Sequence, residues 1–184
     1  MRFLALFLVG TGCASAQLFS AGLKIGMPFT DFLTTAQNGT VTYTTVTNRY
    51  IIGATAELHL PFRLGIELDA LYRHLNYAQN GIPTTSSAFE FPLLLKYRFP
   101  MKIARPYVDG GVAWDTLSGL TQAAQLKNNT VDGFVMGAGL DVHLLVIHVM
   151  PELRYTRWGA QHFDLAGLLT SNQNQAEFLV GITF

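Results

Sequence analysis

The sequence is short of charged residues. Asp, Glu, Lys and Arg make up 13% of its 184 residues, about half the share that is usual for soluble domains. The charges that are present balance, with 12 basic and 12 acidic residues, so the chain has no excess of positive charge with which to bind nucleic acid. This composition argues against an ordinary water-exposed surface and against a nucleic-acid partner.

Long apolar runs are also missing after the first 16 residues. A transmembrane helix needs about 18 or more consecutive apolar residues, and no later segment supplies them. Hydrophobic residues nevertheless make up 49% of the chain. Because only helices and closed barrels satisfy the backbone hydrogen bonds in lipid, a chain that is too apolar for water and has no spanning helix indicates a transmembrane β-barrel.

The chain has one cysteine, Cys13, and it lies in a segment typical of a secretory signal. Arg2 provides the positive start, residues 3–9 provide the apolar stretch, and residues 14–16 (Ala-Ser-Ala) form a small-residue cleavage site. We therefore predict a cleaved signal peptide over residues 1–16 and a barrel domain over residues 17–184, which could form no disulfide. Lipidation of Cys13 is the alternative, but the residues before it lack the leucine that this modification normally requires.

The rest of the chain alternates between apolar and polar or small residues with the period of two that is typical of β-strands. The alternation is clearest in residues 88–99, where the apolar face is entirely aromatic or leucine. It also covers the last stretch, AEFLVGITF, whose apolar face includes Phe178, Val180, Ile182 and Phe184. Eight such strands are predicted, at residues 20–27, 49–60, 64–73, 88–99, 106–114, 133–144, 147–156 and 176–184.

The connections between these strands alternate strictly between long and short. The long ones, at residues 29–48, 74–87, 115–132 and 159–174, are polar and contain turn signals. This pattern predicts an all-β fold, an eight-stranded antiparallel up-and-down transmembrane β-barrel with short periplasmic turns and long outer loops.

Two local features refine this prediction. Residues 40–47 (TVTYTTVT) have β propensity, which predicts that the first strand pair extends beyond the membrane as a hairpin. Pro151 cannot donate a hydrogen bond to a neighbouring strand, so we predict that it lies at a β-bulge.

The same alternation also fits a soluble, lipocalin-type barrel with its apolar face inside. The interior of an eight-stranded barrel, however, is only just wide enough for side chains or one small ligand, and the apolar face carries too many large residues for that space. We therefore predict that small and charged residues face the lumen. For Pro106 to Trp114 we assign the parity that keeps Asp109 out of lipid. The predicted lumen charges are Lys24, Glu57, Glu67, Asp69, Arg73, Glu90, Lys96, Arg98, Asp109, Asp141, Glu152, Arg154 and Glu177.

Charges inside a barrel must pair or titrate. Approximate heights along the strands predict the pairs Glu67 with Lys96 and Arg154 with Glu177. A packed ionic core predicts a plugged lumen, since a wide aqueous pore takes about sixteen strands. His59, His143 and His148 share the lumen parity, and without recognisable ligand spacing they indicate a hydrogen-bond network in preference to a metal site.

Motifs for catalysis or cofactor binding are weak. Gly137 and Gly139 lack the third glycine and the helix of a dinucleotide site. His162 and Asp164 could act as a base and its orienting carboxylate, but no nucleophile spacing accompanies them. We therefore expect no enzymatic activity, no cofactor and no catalytic or metal site.

Several stretches resemble the small bacterial outer-membrane β-barrel family, whose general type is the OmpA transmembrane domain and OmpX and whose members are often labelled porins. These stretches are FEFPLLLKYRF (89–99), RPYVDGGVAW (105–114), GFVMGAGLDVHL (133–144), PELRYTRW (151–158) and EFLVGITF (177–184). The resemblance implies residence in the outer membrane of a Gram-negative-type bacterium. It also implies that the closing strand, with its terminal Phe184, is the sorting signal of such barrels.

The leading functional hypothesis is an outer-membrane barrel with a structural, adhesive or loop-mediated surface role. A narrow porin-like channel and a soluble periplasmic ligand-binding barrel are the alternatives. The expected partners are outer-membrane lipid and, during biogenesis, the barrel assembly machinery and periplasmic chaperones, with an unidentified partner for the loops.

Overall fold

A computed structural model describes residues 18–30, 33–35, 43–45, 50–79, 82–101, 104–118, 130–144, 146–160 and 169–184. The predicted signal peptide lies outside these residues. Within them, none of the helical segments is long and apolar enough to cross a membrane.

The described residues form β-strands joined by turns. The strands are β1 (Phe19–Pro28), β2 (Leu33–Thr35), β3 (Tyr43–Thr45), β4 (Ile51–His59), β5 (Leu64–Gln79), β6 (Ile82–Arg98), β7 (Ala104–Ser118), β8 (Thr130–Leu144), β9 (Ile147–Trp158), β10 (Leu169–Ser171) and β11 (Asn174–Thr183).

Eight of these strands, β1, β4 to β9 and β11, close into one antiparallel barrel. Each strand pairs with its neighbours in the chain, and β1 pairs with β11 to complete the ring, with Ile25 opposite Val180. The backbones approach closely at this seam, since a Cβ on Gly22 would collide with the carbonyl oxygen of Ile182. The predicted eight-stranded up-and-down barrel is therefore confirmed.

Burial alternates along every barrel strand and shows which face is inside. On β6 the side chains of Leu94 and Lys96 are almost fully buried, whereas those of Phe91 and Leu95 are 42% and 53% exposed. β7 follows the predicted parity, with Tyr107 and Asp109 inside and Val108 outside. The outer surface is thus apolar and the interior holds the charges, which is the reverse of what a soluble ligand-binding barrel requires.

The largest departure from the predicted strands is the hairpin of β5 and β6. Residues 74–87 were predicted to form a loop, but β5 runs to Gln79 and β6 begins at Ile82, so that only Asn80 and Gly81 separate them. Over the residues that were predicted to be loop, the two strands pair without a gap from His74↔Ser87 to Gln79↔Ile82. The prediction was wrong because it required an apolar face, which a strand beyond the lipid does not need.

Short strands also occur in two other predicted loops. Tyr43–Thr45 does extend the barrel sheet, as the β propensity of its surroundings predicted, but it pairs with β5 instead of forming a hairpin with β1. Leu33–Thr35 pairs with Leu169–Ser171 in a separate two-stranded sheet. The first and last long connections are therefore joined to each other.

The predicted bulge at Pro151 is wrong. Pro151 pairs with Val180 on β11 in an unbroken register. On the other side, the β8 to β9 pairing skips the positions opposite Pro151 and resumes in the same register at Val142 and Val149. The missing N–H of proline thus interrupts one ladder without inserting an extra residue.

The turn between β4 and β5, Pro61–Arg63, is tight and strained. Its central residues, Phe62 and Arg63, have φ angles of 64° and 67°, in the left-handed region. Two-residue hairpin turns with both central residues at positive φ favour Asn-Gly, and non-glycine residues there are costly. The turn leaves Phe62 88% exposed. This end of the barrel, where β4–β5, β6–β7 and β8–β9 connect, is called the short-turn end below, and the opposite end is called the long-loop end.

Candidate functional site

The candidate site is the barrel lumen, and its centre is a cluster of ion pairs around Lys24. The Lys24 Nζ atom lies 2.5 Å from Glu67 Oε1, 3.0 Å from Asp69 Oδ2 and 3.1 Å from Glu152 Oε2. All four side chains have no contact with solvent. Because β1, β5 and β9 contribute these residues, one ammonium group links three separate strands across the lumen.

Arg154 completes this central layer from β9. Its Nε donates to Glu152 Oε1 at 2.6 Å, and its Nη2 donates to Asp69 Oδ2 at 2.9 Å and to Glu67 Oε1 at 3.5 Å. Lys96 binds the other oxygen of Glu67. Each of the three carboxylates therefore has at least two cationic partners, as buried charges require.

Tyr107 connects the central layer to β7. Its hydroxyl donates to Glu152 Oε2 at 3.1 Å, and the Lys96 Nζ lies 4.3 Å from the centre of its ring. An ammonium over an aromatic face is attracted by the ring quadrupole. The tyrosine thus fills the lumen with a large ring while satisfying two charged neighbours.

A second layer lies toward the long-loop end around Arg73. The Arg73 Nη2 is 2.5 Å from Glu90 Oε2 and 2.7 Å from Glu177 Oε2, and Nη1 donates to Gln175 Oε1 at 2.9 Å. All four side chains are buried. One guanidinium therefore joins β5 to β6 and, across the lumen, to β11.

A third layer lies toward the short-turn end around Arg98. Its guanidinium binds Glu57 through two parallel bonds of 2.5 and 2.6 Å, and its Nε donates to Asp141 Oδ2 at 3.1 Å. The other oxygen of Asp141 lies 2.7 Å from the Nδ1 of His148. Bidentate arginine-carboxylate pairs of this type are among the strongest and most directional hydrogen-bonded contacts.

Apolar side chains fill lumen positions beside the charged layers. One cluster contains Leu94, Ala113, Val131, Val135 and Trp158. Another contains Ile51, Leu71 and Leu179. In register, Ile51 lies opposite Arg73 and Leu71 lies opposite Glu90, so apolar and charged side chains share the lumen at the same heights.

The structure buries all thirteen predicted lumen charges. The predicted contact between Glu67 and Lys96 is present. Arg154 and Glu177 lie opposite each other in register, but Glu177 accepts its hydrogen bond from Arg73, so this predicted pair is wrong. Among the described residues, the Asp109 carboxylate has no hydrogen-bond partner.

The predicted histidines lie together only in part. The His143 and His148 rings are 4.2 Å apart at the short-turn end, and His143 is exposed to solvent. His59 lies 3.9 Å from Glu57. The described part of the chain has no group of three or more His, Cys, Asp or Glu side chains arranged so that it could hold a metal ion. His162 and Asp164 lie outside the described residues.

Tyr107, Gln175 and Asp115 are buried residues that the predicted lumen charges do not include. Tyr107 was predicted to face inward but was not assigned a charged partner, while Gln175 and Asp115 were placed in loops. Both Gln175 and Asp115 are buried within strands. Asp115 comes directly after the predicted end of its strand, and Gln175 comes directly before the predicted start of the last strand. Extending the alternation by one residue at each of these ends would have identified both.

The predicted sorting strand lies at the seam of the barrel. Phe178, Val180 and Ile182 belong to β11 and have outward parity. The Phe184 N–H donates to the Ala21 carbonyl at 3.1 Å, while its side chain is 79% exposed. The aromatic ring therefore projects outward at the short-turn end while its backbone closes the barrel.

Comparison with known proteins gives consistent matches. Residues 3–184 match the family described as "Outer membrane protein beta-barrel domain". The chain is 30% identical over 130 residues to the 25 kDa outer-membrane immunogenic protein of Brucella melitensis, and 29% identical to that of Brucella suis. Each match covers 65% of this chain and 56% of the relative, so the chain spans about half the length of these curated relatives.

Two solved structures have a similar fold. The N-terminal β-barrel domain of Pseudomonas aeruginosa OprF superposes with a TM-score of 0.51 at 15% identity, covering 90% of this chain and 97% of the OprF domain. The outer membrane protein AlkL superposes with a TM-score of 0.50 at 13% identity, covering 91% and 89% of the two chains. At these identities the similarity extends to the fold alone.

Proposed function

Since the chain belongs to the outer membrane protein β-barrel family and resides in the outer membrane, we propose that it is a non-conducting barrel that anchors surface-exposed segments. The soluble periplasmic alternative is excluded by this location and by the apolar outer face. The choice that is left is between a plugged scaffold and a narrow channel.

The observation that carries the proposal is the layered filling of the lumen. Lys24, Glu67 and Arg154 have no solvent-exposed side-chain surface, although they lie on three different strands. Buried apolar side chains such as Leu94 and Leu179 fill lumen space beside these charges. An ion would have to separate buried charge pairs and pass these side chains, which supports a plugged lumen.

The loop role is supported by the relatives and by the strand extensions. The Brucella relatives are named as immunogenic outer-membrane proteins. In this chain, β5 and β6 form a long hairpin at the long-loop end, and β2 pairs with β10 in a separate two-stranded sheet. Segments ordered in this way would give a partner outside the cell a defined surface to contact.

During biogenesis we expect the barrel assembly machinery and periplasmic chaperones as partners. The outward residues of β11 and the exposed Phe184 ring are apolar, and such a surface needs protection before it reaches lipid.

A narrow channel is the second candidate, and specific polar atoms favour it. Both oxygens of Asp109 and the Nη1 of Arg154 are buried without a hydrogen-bond partner in the described residues. Such atoms would be satisfied by water inside the lumen. A chain of such waters could carry protons or small ions.

Planar-bilayer conductance tests the choice between these functions. The wild-type barrel is expected to give no discrete current steps. Removing apolar and ionic filling together in Lys24→Ala/Leu94→Ala/Trp158→Ala should produce steps, whereas the matched outward change Leu23→Ala/Leu95→Ala should not. Steps from the wild type whose ion selectivity changes in Glu67→Gln would overturn the plugged scaffold and establish the channel. Gel electrophoresis checks that each variant has folded, because a folded barrel migrates more slowly after boiling than before boiling.

A further inference from the structure

A cavity of about 450 Å³ opens at the short-turn end, where a barrel of this family faces the periplasm. It lies between the β4–β5 turn and residues 99–101, which follow β6. Arg98 of the third charged layer and His59 line its inner side, whereas its other lining residues take no part in the lumen network or in the proposed surface role. Its lining combines arginines with apolar side chains.

Two arginines give the cavity a net positive charge. Arg63 and Arg105 both line it and are exposed to solvent, and neither forms an ion pair with a described residue. Arg105 lies opposite Asp141 in register, but Asp141 already binds Arg98 and His148. The Arg105 Nε donates to the Met101 carbonyl at 3.2 Å, which restrains the aliphatic part of the Arg105 side chain. The two guanidiniums are therefore available for an external anion.

The apolar wall of the cavity continues onto the lipid-facing surface. Leu60, Leu64 and Phe99 line it. Their parity is opposite to that of the inward residues Gly65 and Arg98, so they face outward. A molecule with its anionic group on the arginines could therefore lay a hydrocarbon portion on these residues without leaving the bilayer.

The strained turn supplies a separate argument for function. Phe62 and Arg63 occupy left-handed conformations that Asn and Gly would adopt at lower cost. The strain gives no evident benefit to the barrel, because neither side chain is buried. It does place Arg63 at the cavity and leaves Phe62 exposed at the short-turn end, and aromatic residues are stabilised at a membrane interface.

We propose that this cavity binds an anionic glycerophospholipid of the periplasmic leaflet, with its phosphate on Arg63 and Arg105 and its acyl chains against Leu60, Leu64 and Phe99. Arginine is suited to this role because its planar fork binds two phosphate oxygens at once. The site would hold the barrel at a fixed depth and recruit anionic lipid around it.

Native mass spectrometry of the intact, detergent-solubilised barrel tests this assignment. The protein is titrated with dioleoylphosphatidylglycerol and, separately, with dioleoylphosphatidylcholine. We expect Arg63→Asn/Arg105→Gln to lower the retention of phosphatidylglycerol by about 30-fold, from the attraction that two basic residues provide at an anionic lipid surface. Asparagine is chosen at position 63 because it tolerates positive φ, so the variant should unfold at a urea concentration at least as high as the wild type.

The matched control is Arg157→Gln, which removes one exposed arginine at the long-loop end and should leave lipid retention unchanged. If this control loses as much phosphatidylglycerol as the double variant, the lipid is retained by general attraction to positive charge, and the proposed site is overturned. Equal retention of the two lipids by the wild type would overturn it as well. Displacement of the lipid by glycerol 3-phosphate at the same concentration would show that the apolar wall contributes nothing, which would also refute the proposal.

Discussion

The central charged layer has more cations per carboxylate than the layer around Arg73. We therefore expect the loss of one cation to reduce the stability of the barrel less in the central layer. If Lys24 is replaced by methionine, each of its carboxylate partners keeps a cation: Glu67 keeps Lys96, while Asp69 and Glu152 keep Arg154 at 2.9 and 2.6 Å. Methionine has a similar length and fills the same space, so the substitution tests charge and leaves packing nearly intact.

Arg73 has no such substitute. Its partners Glu90 and Glu177 form no other hydrogen bond to a cation among the described residues, and each already has one oxygen without a partner. Arg73→Met would leave two buried carboxylates without a hydrogen-bonded cation. Breaking a buried ion pair from one side costs about 3–5 kcal/mol, and we expect Lys24→Met near the lower end of that range and Arg73→Met at or above the upper end.

Equilibrium urea unfolding of the refolded barrel in lipid vesicles measures both losses, with tryptophan fluorescence as the signal. In the triple variant Arg73→Met/Glu90→Gln/Glu177→Gln, neutral amides replace the two carboxylates that have lost their cation. This variant should recover most of the lost stability, because amides are less costly to bury than carboxylates. If Lys24→Met is as destabilising as Arg73→Met, or if both cost less than about 1 kcal/mol, the range of an exposed pair, then the network does not stabilise the barrel as argued.

Two further substitutions test the assignment of the faces. Gly137→Leu should prevent assembly, because a Cβ added there would lie 2.5 Å from Asp109 Oδ1 and overfilled interiors are destabilised. The outward control Gly110→Leu, where an added Cβ would have its nearest neighbour at 3.6 Å, should migrate like the wild type in unboiled gels. Equal assembly defects in the two variants would refute the lumen assignment. Val180→Arg should cost about 2–4 kcal/mol in urea unfolding near the bilayer midplane. Val146→Arg, at the short-turn end, should cost no more than about 1 kcal/mol, and equal costs would argue that Val180 does not face lipid.

The faces of the strands could be predicted from the sequence because they depend only on parity. Lys24, Glu67 and Glu152 each occupy the small or charged face of an alternating stretch, and an eight-stranded barrel has room for only one of the two faces. The same parity correctly oriented Val108 and Asp109 on β7. These assignments need no knowledge of how the strands pair.

The partners of these residues could not be predicted in the same way. Lys24 and Glu152 are 128 positions apart in the chain, and their contact depends on the registers of every strand between them. Strand ends were also underestimated, since Asp115 and Gln175 continue the parity where the apolar face stops. Beyond the lipid, backbone pairing alone maintains a strand, and the sequence carries little trace of it.

The central ion-pair layer also constrains the order of events during membrane insertion. Lys24 comes from β1, Glu67 from β5 and Glu152 from β9, so no single hairpin contains a complete set of partners. A hairpin that entered the hydrocarbon alone would expose unpaired charges to it, and a basic residue at the midplane costs about 2–4 kcal/mol. Partly inserted intermediates are therefore disfavoured. The strands are expected to assemble at the membrane surface and to enter the bilayer together as the barrel closes.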